Sequence, residues 1–180
     1  MPFLRAALRD LKISFVLMQV ISRLQMRTLR GISRRLTVTE GDRSSQASAG
    51  VAWVAVHVRA FVCDRDGREP SFGHVRAALH RRGFRRGLVY LVSSIPLHQA
   101  QRALPEYELA SKATFLGEET MLSYPFEVCA AVDYGVAVGA PLYLGEPLES
   151  SFDAFASEER LRTNQSDVSA IVGSCNVVQR

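Results

Sequence analysis

Lysine, cysteine and long apolar runs are all scarce in this chain of 180 residues. Only Lys12 and Lys112 are lysines, so arginine supplies nearly all the positive charge behind the net charge of +4. An arginine excess arises from GC-rich codon usage, and arginine also suits bidentate recognition of phosphate. The charge is therefore compatible with an anionic ligand and does not identify one.

Several site signatures are missing. The three cysteines, Cys63, Cys129 and Cys175, allow at most one internal disulfide and form no CxxC pair. The four histidines are scattered, so we predict no metal site. Neither GxGxxG nor GxxxxGK[ST] occurs, which argues against an ordinary NAD-binding or P-loop domain.

The N-terminal residues only faintly resemble a signal peptide. Arg5 and Arg9 precede a short apolar run, but Gln19 and Arg23 follow at once and no cleavage site of small residues is present. No segment reaches the roughly 18 apolar residues of a membrane span. We predict an amphipathic helix over 3–35, no clear signal peptide and no membrane span.

Composition and patterning predict three segments. With 47% hydrophobic and 22% charged residues, the chain has an ordinary globular composition, and its length fits one domain. We predict a helical lead-in over 1–36, a flexible linker over 37–50 (from the polar run TVTEGDRSSQASAG) and the main domain over 51–180.

Strand and helix patterns alternate through the main domain. Strands are predicted over 51–58, 87–92, 113–116 and 141–144, and helices begin near Ser71, Pro96, Pro125 and Ser150. This order predicts an α/β fold, a Rossmann-like parallel sheet with helices on both faces. Ligands of such sheets bind beyond the carboxyl ends of the strands, so the residues that follow each strand are the candidates for a site.

The first strand ends in His57-Val58-Arg59. Arg59 is placed to bind a phosphate with its planar guanidinium group. The alternative is an arginine that only reaches solvent.

Asp133 lies in the middle of a helix that is apolar nearly all round. A buried carboxylate needs a partner, because burying an unpaired charge costs several kcal/mol. The partner is either an arginine in a structural ion pair or a donor group of a ligand, such as a base or a ribose.

Ser150 and Ser151 are good N-cap residues, and Asp153 supports the first turn of the helix that follows. The free N–H groups and positive dipole of a helix start can bind phosphate. Plain helix capping is the alternative.

These pieces together resemble the GDP-fucose protein O-fucosyltransferase family. The resemblance rests on 131–134 (AVDY), 141–145 (PLYLG), 150–160 (SSFDAFASEER), 55–59 (AVHVR) and 89–94 (VYLVSS). It covers about residues 51–162. The order and the spacing of the motifs agree with those of the family.

The resemblance implies the C-terminal, donor-binding half of a glycosyltransferase with two Rossmann-like domains. Such an enzyme transfers fucose from GDP-fucose to a Ser or Thr hydroxyl of an acceptor protein, with inversion and without a metal or other cofactor. Catalysis is expected to require the acceptor-binding half, which 180 residues cannot also hold. The expected location is the lumen of the endoplasmic reticulum or Golgi.

Carried over by position, the family's roles fall on six residues. Arg59 would be catalytic, binding the β-phosphate and neutralising the charge of the departing GDP. His57 would shape the donor site, and Asp133 would contact the guanosine end. The phosphates and the base would be contacted by Ser150, Ser151 and Phe152.

Two other functions are compatible with the sequence. The first is a non-catalytic module of the same fold that binds a GDP-sugar or a protein. The second is a nucleic-acid binder that uses the arginines around 76–86. This cluster lacks interleaved aromatic side chains beyond Phe84, which favours a solvated helix face, so no nucleic-acid partner is expected.

Overall fold

The computed structural model describes residues 15–40, 51–58, 72–145, 150–163 and 168–170. The described strands are β1 Trp53–His57, β2 Leu88–Val92, β3 Glu108–Ala110, β4 Leu142–Gly145 and β5 Val168–Ala170. The described helices are α1 Phe15–Glu40, α2 Gly73–Arg81, α3 Leu97–Ala103, α4 Lys112–Leu116, α5 Glu118–Leu122, α6 Phe126–Gly139 and α7 Ser151–Arg162. None of these helices is long and apolar enough to cross a membrane.

The strands form one parallel sheet in the order β3-β2-β1-β4-β5. In the register of the central strands, Ala55 of β1 is opposite both Tyr90 of β2 and Tyr143 of β4. β1, β2 and β4 are apolar and buried nearly throughout, as expected of strands covered on both faces. The predicted α/β, Rossmann-like parallel sheet is confirmed.

Alternate side chains of the strands enter two different cores. Val54, Val56 and Val89 belong to the core shared with α2 and α3. Trp53, Ala55, Tyr90 and Tyr143 belong to the core on the other face, where α6, α7 and α1 pack. The helices therefore lie on both faces of the sheet, because the period of two along each strand sends neighbouring side chains to opposite sides.

Helix α1 packs against α6. Ile21 and Leu24 share a core with Val128 and Val132. Gln25 Nε2 donates a 2.8 Å hydrogen bond to the carbonyl of Ala131. The helix continues to Glu40, four residues into the range predicted as a linker, while the division into lead-in, linker and main domain stays a prediction.

The predicted strand over 113–116 is wrong. These residues belong to α4, and the third strand comes earlier, at Glu108–Ala110. The cause is a capping box: Ser111 caps the helix, and its N–H donates to Thr114 Oγ1 at 3.0 Å. The β-branched Thr114 thus fixes a helix start. The proposed cap Ser71 lies outside the described residues, and the helix there begins at Gly73.

Candidate functional site

The candidate site lies at the topological switch point of the sheet, between β1 and β4. The chain passes from β1 towards β2 on one side, and from β4 towards β5 on the other. The carboxyl ends of β1 and β4 therefore flank the switch point, where open α/β sheets bind their ligands. His57 ends β1, Gly145 ends β4, and the first turn of α7 lies against both.

His57 is paired with a buried carboxylate. Its Nδ1 atom lies 2.8 Å from Oδ1 and 2.9 Å from Oδ2 of Asp153. Asp153 is fully buried, and the side chain of His57 is 14% exposed. Since an ionised carboxylate only accepts hydrogen bonds, Nδ1 carries a proton and donates it to this contact.

Two residues of β4 also lie against Asp153. The hydroxyl of Tyr143 donates to Oδ1 of Asp153. Burial and then the charge of Asp153 raise the pKa of Tyr143 far above its ordinary value, so the phenol remains a donor. At Gly145, a Cβ would lie 2.4 Å from Asp153 Oδ1. Glycine thus makes the room that the carboxylate occupies.

The first turn of α7 supplies the remaining groups. Ser150 has extended backbone and its Oγ accepts a 3.3 Å hydrogen bond from the Asp153 N–H, so the predicted cap is confirmed. Among the described residues, no group accepts from the N–H of Ser151 or of Phe152. The ring of Phe152 lies 4.9 Å from that of His57 and meets the ring of Tyr134 edge-on at 5.8 Å. The imidazole is thereby held against the positive end of this helix.

Asp133 lies in a second buried cluster, one strand away. The hydroxyl of Tyr90 donates to its Oδ1 at 2.8 Å, and Lys112 Nζ donates to its Oδ2. Burial raises the pKa of Asp133, opposed first by the charge of Lys112. Of the two kinds of partner considered for this carboxylate, an ion pair is present, formed with Lys112 and not with an arginine. Contact with guanosine stays a prediction.

The two clusters are matched across the sheet. Tyr90 and Tyr143 lie on either side of Ala55, and each donates its hydroxyl to a buried aspartate from a helix on the same face. Each aspartate also has a basic partner, Lys112 or His57. A positive charge on His57 lowers the pKa of Asp133, so the clusters interact electrostatically when the imidazole is protonated.

Arg160, from the Glu-Arg pair of the motif, has a structural position. It is fully buried, and its Nη1 donates to the carbonyl oxygens of Ala137 at 3.2 Å and Val138 at 3.0 Å, and also to Ala140. These carbonyls lie at the C-terminal end of α6, where a helix leaves carbonyl groups without partners of its own. Arg160 therefore fixes the turn that leads from α6 into β4.

The structure brings together four of the six residues predicted for the site: His57, Ser150, Ser151 and Phe152. Asp133 belongs to the neighbouring cluster, and Arg59 lies outside the described residues. The sequence pattern indicates Asp153 only as a first-turn residue and does not indicate that Tyr143 or Lys112 belongs to a site. A shared face was the available signal for Tyr143, which is two residues before Gly145 on β4. Within the described residues, no three His, Cys, Asp or Glu side chains are grouped to hold a metal ion.

The fold and the site define an α/β protein with a Rossmann-like parallel sheet and a polar cluster at its switch point. No protein-family model matches the sequence, and no curated protein matches it. Among solved structures, the chain is similar to the crystal structure of POFUT1 in complex with GDP, with 12% identity and a TM-score of 0.41. The match covers 77% of this chain and 45% of that one, so this chain spans less than half its length.

Proposed function

We propose that this chain is the donor-binding part of a GDP-sugar-dependent glycosyltransferase, with GDP-fucose as the donor. The acceptor is a Ser or Thr hydroxyl of a protein in the lumen of the endoplasmic reticulum or Golgi. The observation that carries the proposal is the His57 imidazole, braced by buried Asp153 and held against the first turn of α7 at the switch point. The motif series that resembles protein O-fucosyltransferases supports the choice of donor.

The electrostatics of this position favour a diphosphate. The N–H groups of Ser151 and Phe152 begin a helix of 12 residues, whose dipole attracts negative charge. His57 places a second nitrogen donor beside them when its ring is protonated. Arg59 follows His57 by two residues and would add a bidentate cation. Two independent kinds of anion-binding group, the helix start and the imidazole, thus lie at this edge of the sheet, and Arg59 is a third candidate from the sequence alone.

In the proposed reaction, the acceptor oxygen attacks the anomeric carbon as the bond from that carbon to the β-phosphate oxygen breaks. The bonding electrons leave with GDP, and configuration inverts. Arg59 stabilises the charge that develops on the β-phosphate. In this form of catalysis, the loss of one donor commonly raises the barrier by about 3–4 kcal/mol. Phe152 contacts the base, and Asp133 accepts from the guanine N–H groups. The acceptor-binding half supplies the group that takes the hydroxyl proton.

A second function remains in view, a non-catalytic module that binds a GDP-sugar or a protein. The specific observation behind it is that both buried carboxylates near the site, Asp133 and Asp153, are engaged by Tyr90, Lys112, Tyr143 and His57. Neither is poised to accept a proton from an acceptor hydroxyl. Binding of GDP-fucose without transfer, in the presence of an acceptor-binding half, would favour this module.

Calorimetric titration with GDP tests the donor site. We expect saturable binding of GDP, weaker binding of UDP, and at least tenfold weaker GDP binding by Arg59→Ala, a loss of about 1.4 kcal/mol. Arg162→Ala is the matched control, because Arg162 is an exposed arginine at the far end of α7 with one ion pair at 3.4 Å to Glu158. Its affinity for GDP should equal that of the unaltered chain.

Two results would contradict the proposal. One is the absence of GDP binding by a chain that unfolds cooperatively and is therefore folded. The other is equal affinity for GDP and UDP, which would show that the guanine is not recognised.

A further inference from the structure

The His57–Asp153 contact determines which imidazole nitrogen can meet a ligand. Nδ1 is within hydrogen-bonding distance of both oxygens of Asp153, so its proton is committed to the carboxylate. The other nitrogen, Nε2, has no hydrogen-bond partner among the described residues. Any contact between the imidazole and a bound ligand therefore goes through Nε2.

The chemistry of Nε2 then depends on the second proton. In the neutral ring with Nδ1 protonated, Nε2 carries a lone pair and only accepts hydrogen bonds. A phosphate oxygen is also an acceptor, so the two repel. Only the doubly protonated ring donates from Nε2. An anion can therefore bind to this nitrogen only if His57 holds its second proton.

We propose that Asp153 is a positioning residue that fixes the tautomer of His57 and thereby couples the binding of a phosphate-bearing ligand to the uptake of one proton. The inference rests on the proposed function, because it takes the ligand of this site to be a diphosphate. Asp153 does not contact the ligand itself; it acts through the imidazole. The coupling makes affinity for the diphosphate fall as the pH rises through the range in which histidine loses its charge.

Charged and titratable groups lie near His57 on five elements. They are Asp153 on α7, Tyr143 on β4, Tyr90 on β2, Asp133 and Tyr134 on α6, and Lys112 beside Asp133 on α4. Burial raises the pKa of all three tyrosines, that of Tyr134 to about 12, so they stay protonated at neutral pH. The phenols therefore add no change of charge to this group at neutral pH.

Asp153→Asn is the sharpest variant because it keeps the shape and reverses the hydrogen bond. The asparagine oxygen can accept from Tyr143 while its amide donates to His57 Nδ1, which leaves the proton of the neutral ring on Nε2. Nε2 would then donate to an anion without a second proton. Tyr143→Phe is the matched control, because it removes one donor to Asp153 and leaves the contact of Nδ1 with the carboxylate.

Calorimetry in two buffers of different ionisation enthalpy measures the proton uptake directly. At about pH 8 the terminal phosphate of GDP is already deprotonated, so the ligand contributes little to the exchange. We expect the unaltered chain and Tyr143→Phe to take up about one proton for each GDP bound, and Asp153→Asn close to none. Between about pH 6.5 and pH 8, the affinity for GDP should fall by up to about tenfold per pH unit in the unaltered chain and in Tyr143→Phe. The affinity of Asp153→Asn should fall less over the same range.

Nitrogen-15 NMR of the ligand-free protein tests the tautomer without relying on GDP. The neutral His57 ring should show its protonated, pyrrole-type nitrogen at Nδ1 in the unaltered chain and at Nε2 in Asp153→Asn. If Asp153→Asn does not fold, the first of these spectra and the proton uptake of the unaltered chain still decide the question.

The outcomes separate this inference from the proposed function. GDP binding without proton uptake, or equal uptake in Asp153→Asn, overturns the coupling and leaves the GDP site standing. A failure to bind GDP at any pH overturns the proposed function and the coupling together. A neutral His57 protonated at Nε2 in the unaltered chain overturns the positioning role of Asp153, whatever binds.

Discussion

Gly145 is the point at which the backbone of β4 comes closest to the carboxylate of Asp153. A Cβ at this position would lie 2.4 Å from Oδ1, 2.7 Å from Cγ and 2.9 Å from the hydroxyl of Tyr143. Both neighbours are buried and held by hydrogen bonds, so neither can retreat without breaking a contact. The hydrogen-bonded cluster at the switch point therefore depends on a residue that contributes no side chain.

Gly145→Ala should destabilise the protein by about 1–3 kcal/mol, the usual cost of overpacking a buried site. It should also weaken GDP binding, because displacing Asp153 releases His57. The control is Gly139→Ala in α6, where an added Cβ has no atom within 4 Å. Urea denaturation measures the stability of both variants, and calorimetric titration measures their affinity for GDP. Equal stability of the two variants would show that the cluster tolerates displacement.

The sequence pattern indicates individual residues of the candidate site better than it indicates their partners. His57, Ser150 and Phe152 were predictable because each stands beside a strand end or a helix start. Asp153 was visible as a residue of the first turn, but its contact with His57 joins positions 96 residues apart. Periodicity gives the face on which a side chain lies, and only the packing of strands and helices decides which faces meet.

Among the elements, α4 shows how a few polar atoms outweigh intrinsic preference. Residues 113–116 (ATFL) are β-branched and aromatic enough to suggest a strand. Ser111 and Thr114 instead form a capping box, worth about 1 kcal/mol to a helix start. The true third strand has only three residues, too few to show a period of two.

The junction between α6 and β4 depends on Arg160. Replacing it by methionine should remove the donors to the carbonyls of Ala137, Val138 and Ala140 and destabilise the protein by about 3 kcal/mol or more. Arg162→Met is the control on the same helix, since its ion pair with Glu158 is exposed on both sides and is worth less than about 1 kcal/mol. Chemical denaturation measures the stability of both variants. Similar losses of stability in Arg160→Met and Arg162→Met would show that Arg160 does not fix the turn from α6 into β4.

At the scale of the whole molecule, α1 and the sheet share one core. Ile32 of α1 is 1% exposed and belongs to the same cluster as Trp53 of β1 and Tyr90 of β2. Phe115 of α4 packs beside Tyr90 and lies so close to Gly31 that a Cβ there would be 2.4 Å away. We therefore expect α1 and the sheet to unfold together.

Trp53 is the single tryptophan, so its fluorescence reports on the sheet, while far-UV circular dichroism reports mostly on the helices. Ile32→Ala should lower the stability measured by both signals by about 2–5 kcal/mol. Val16→Ala, on the exposed side of the same helix, should change it by less than about 0.5 kcal/mol. If Trp53 and the helix signal unfolded at different urea concentrations, α1 would be a separate unit.

The α/β architecture was predictable because strand and helix patterns alternate, and a parallel sheet is the arrangement that this order favours. The order of the five strands was not. Each edge strand, β3 and β5, has only three residues, and its place in the sheet is set by pairing with its neighbour, β2 or β4. Short strands leave little trace in a sequence.

The position of β1 at the centre of the sheet has a consequence for synthesis on the ribosome. β1 pairs with β2 soon after both emerge, but its other edge stays open until β4 arrives, some ninety residues after β1 begins. Contacts of such long sequence separation form late, and an open strand edge is prone to pair with other chains. His57 thus emerges long before its partner Asp153, so the growing chain carries an open strand edge at the position of the future His57–Asp153 contact.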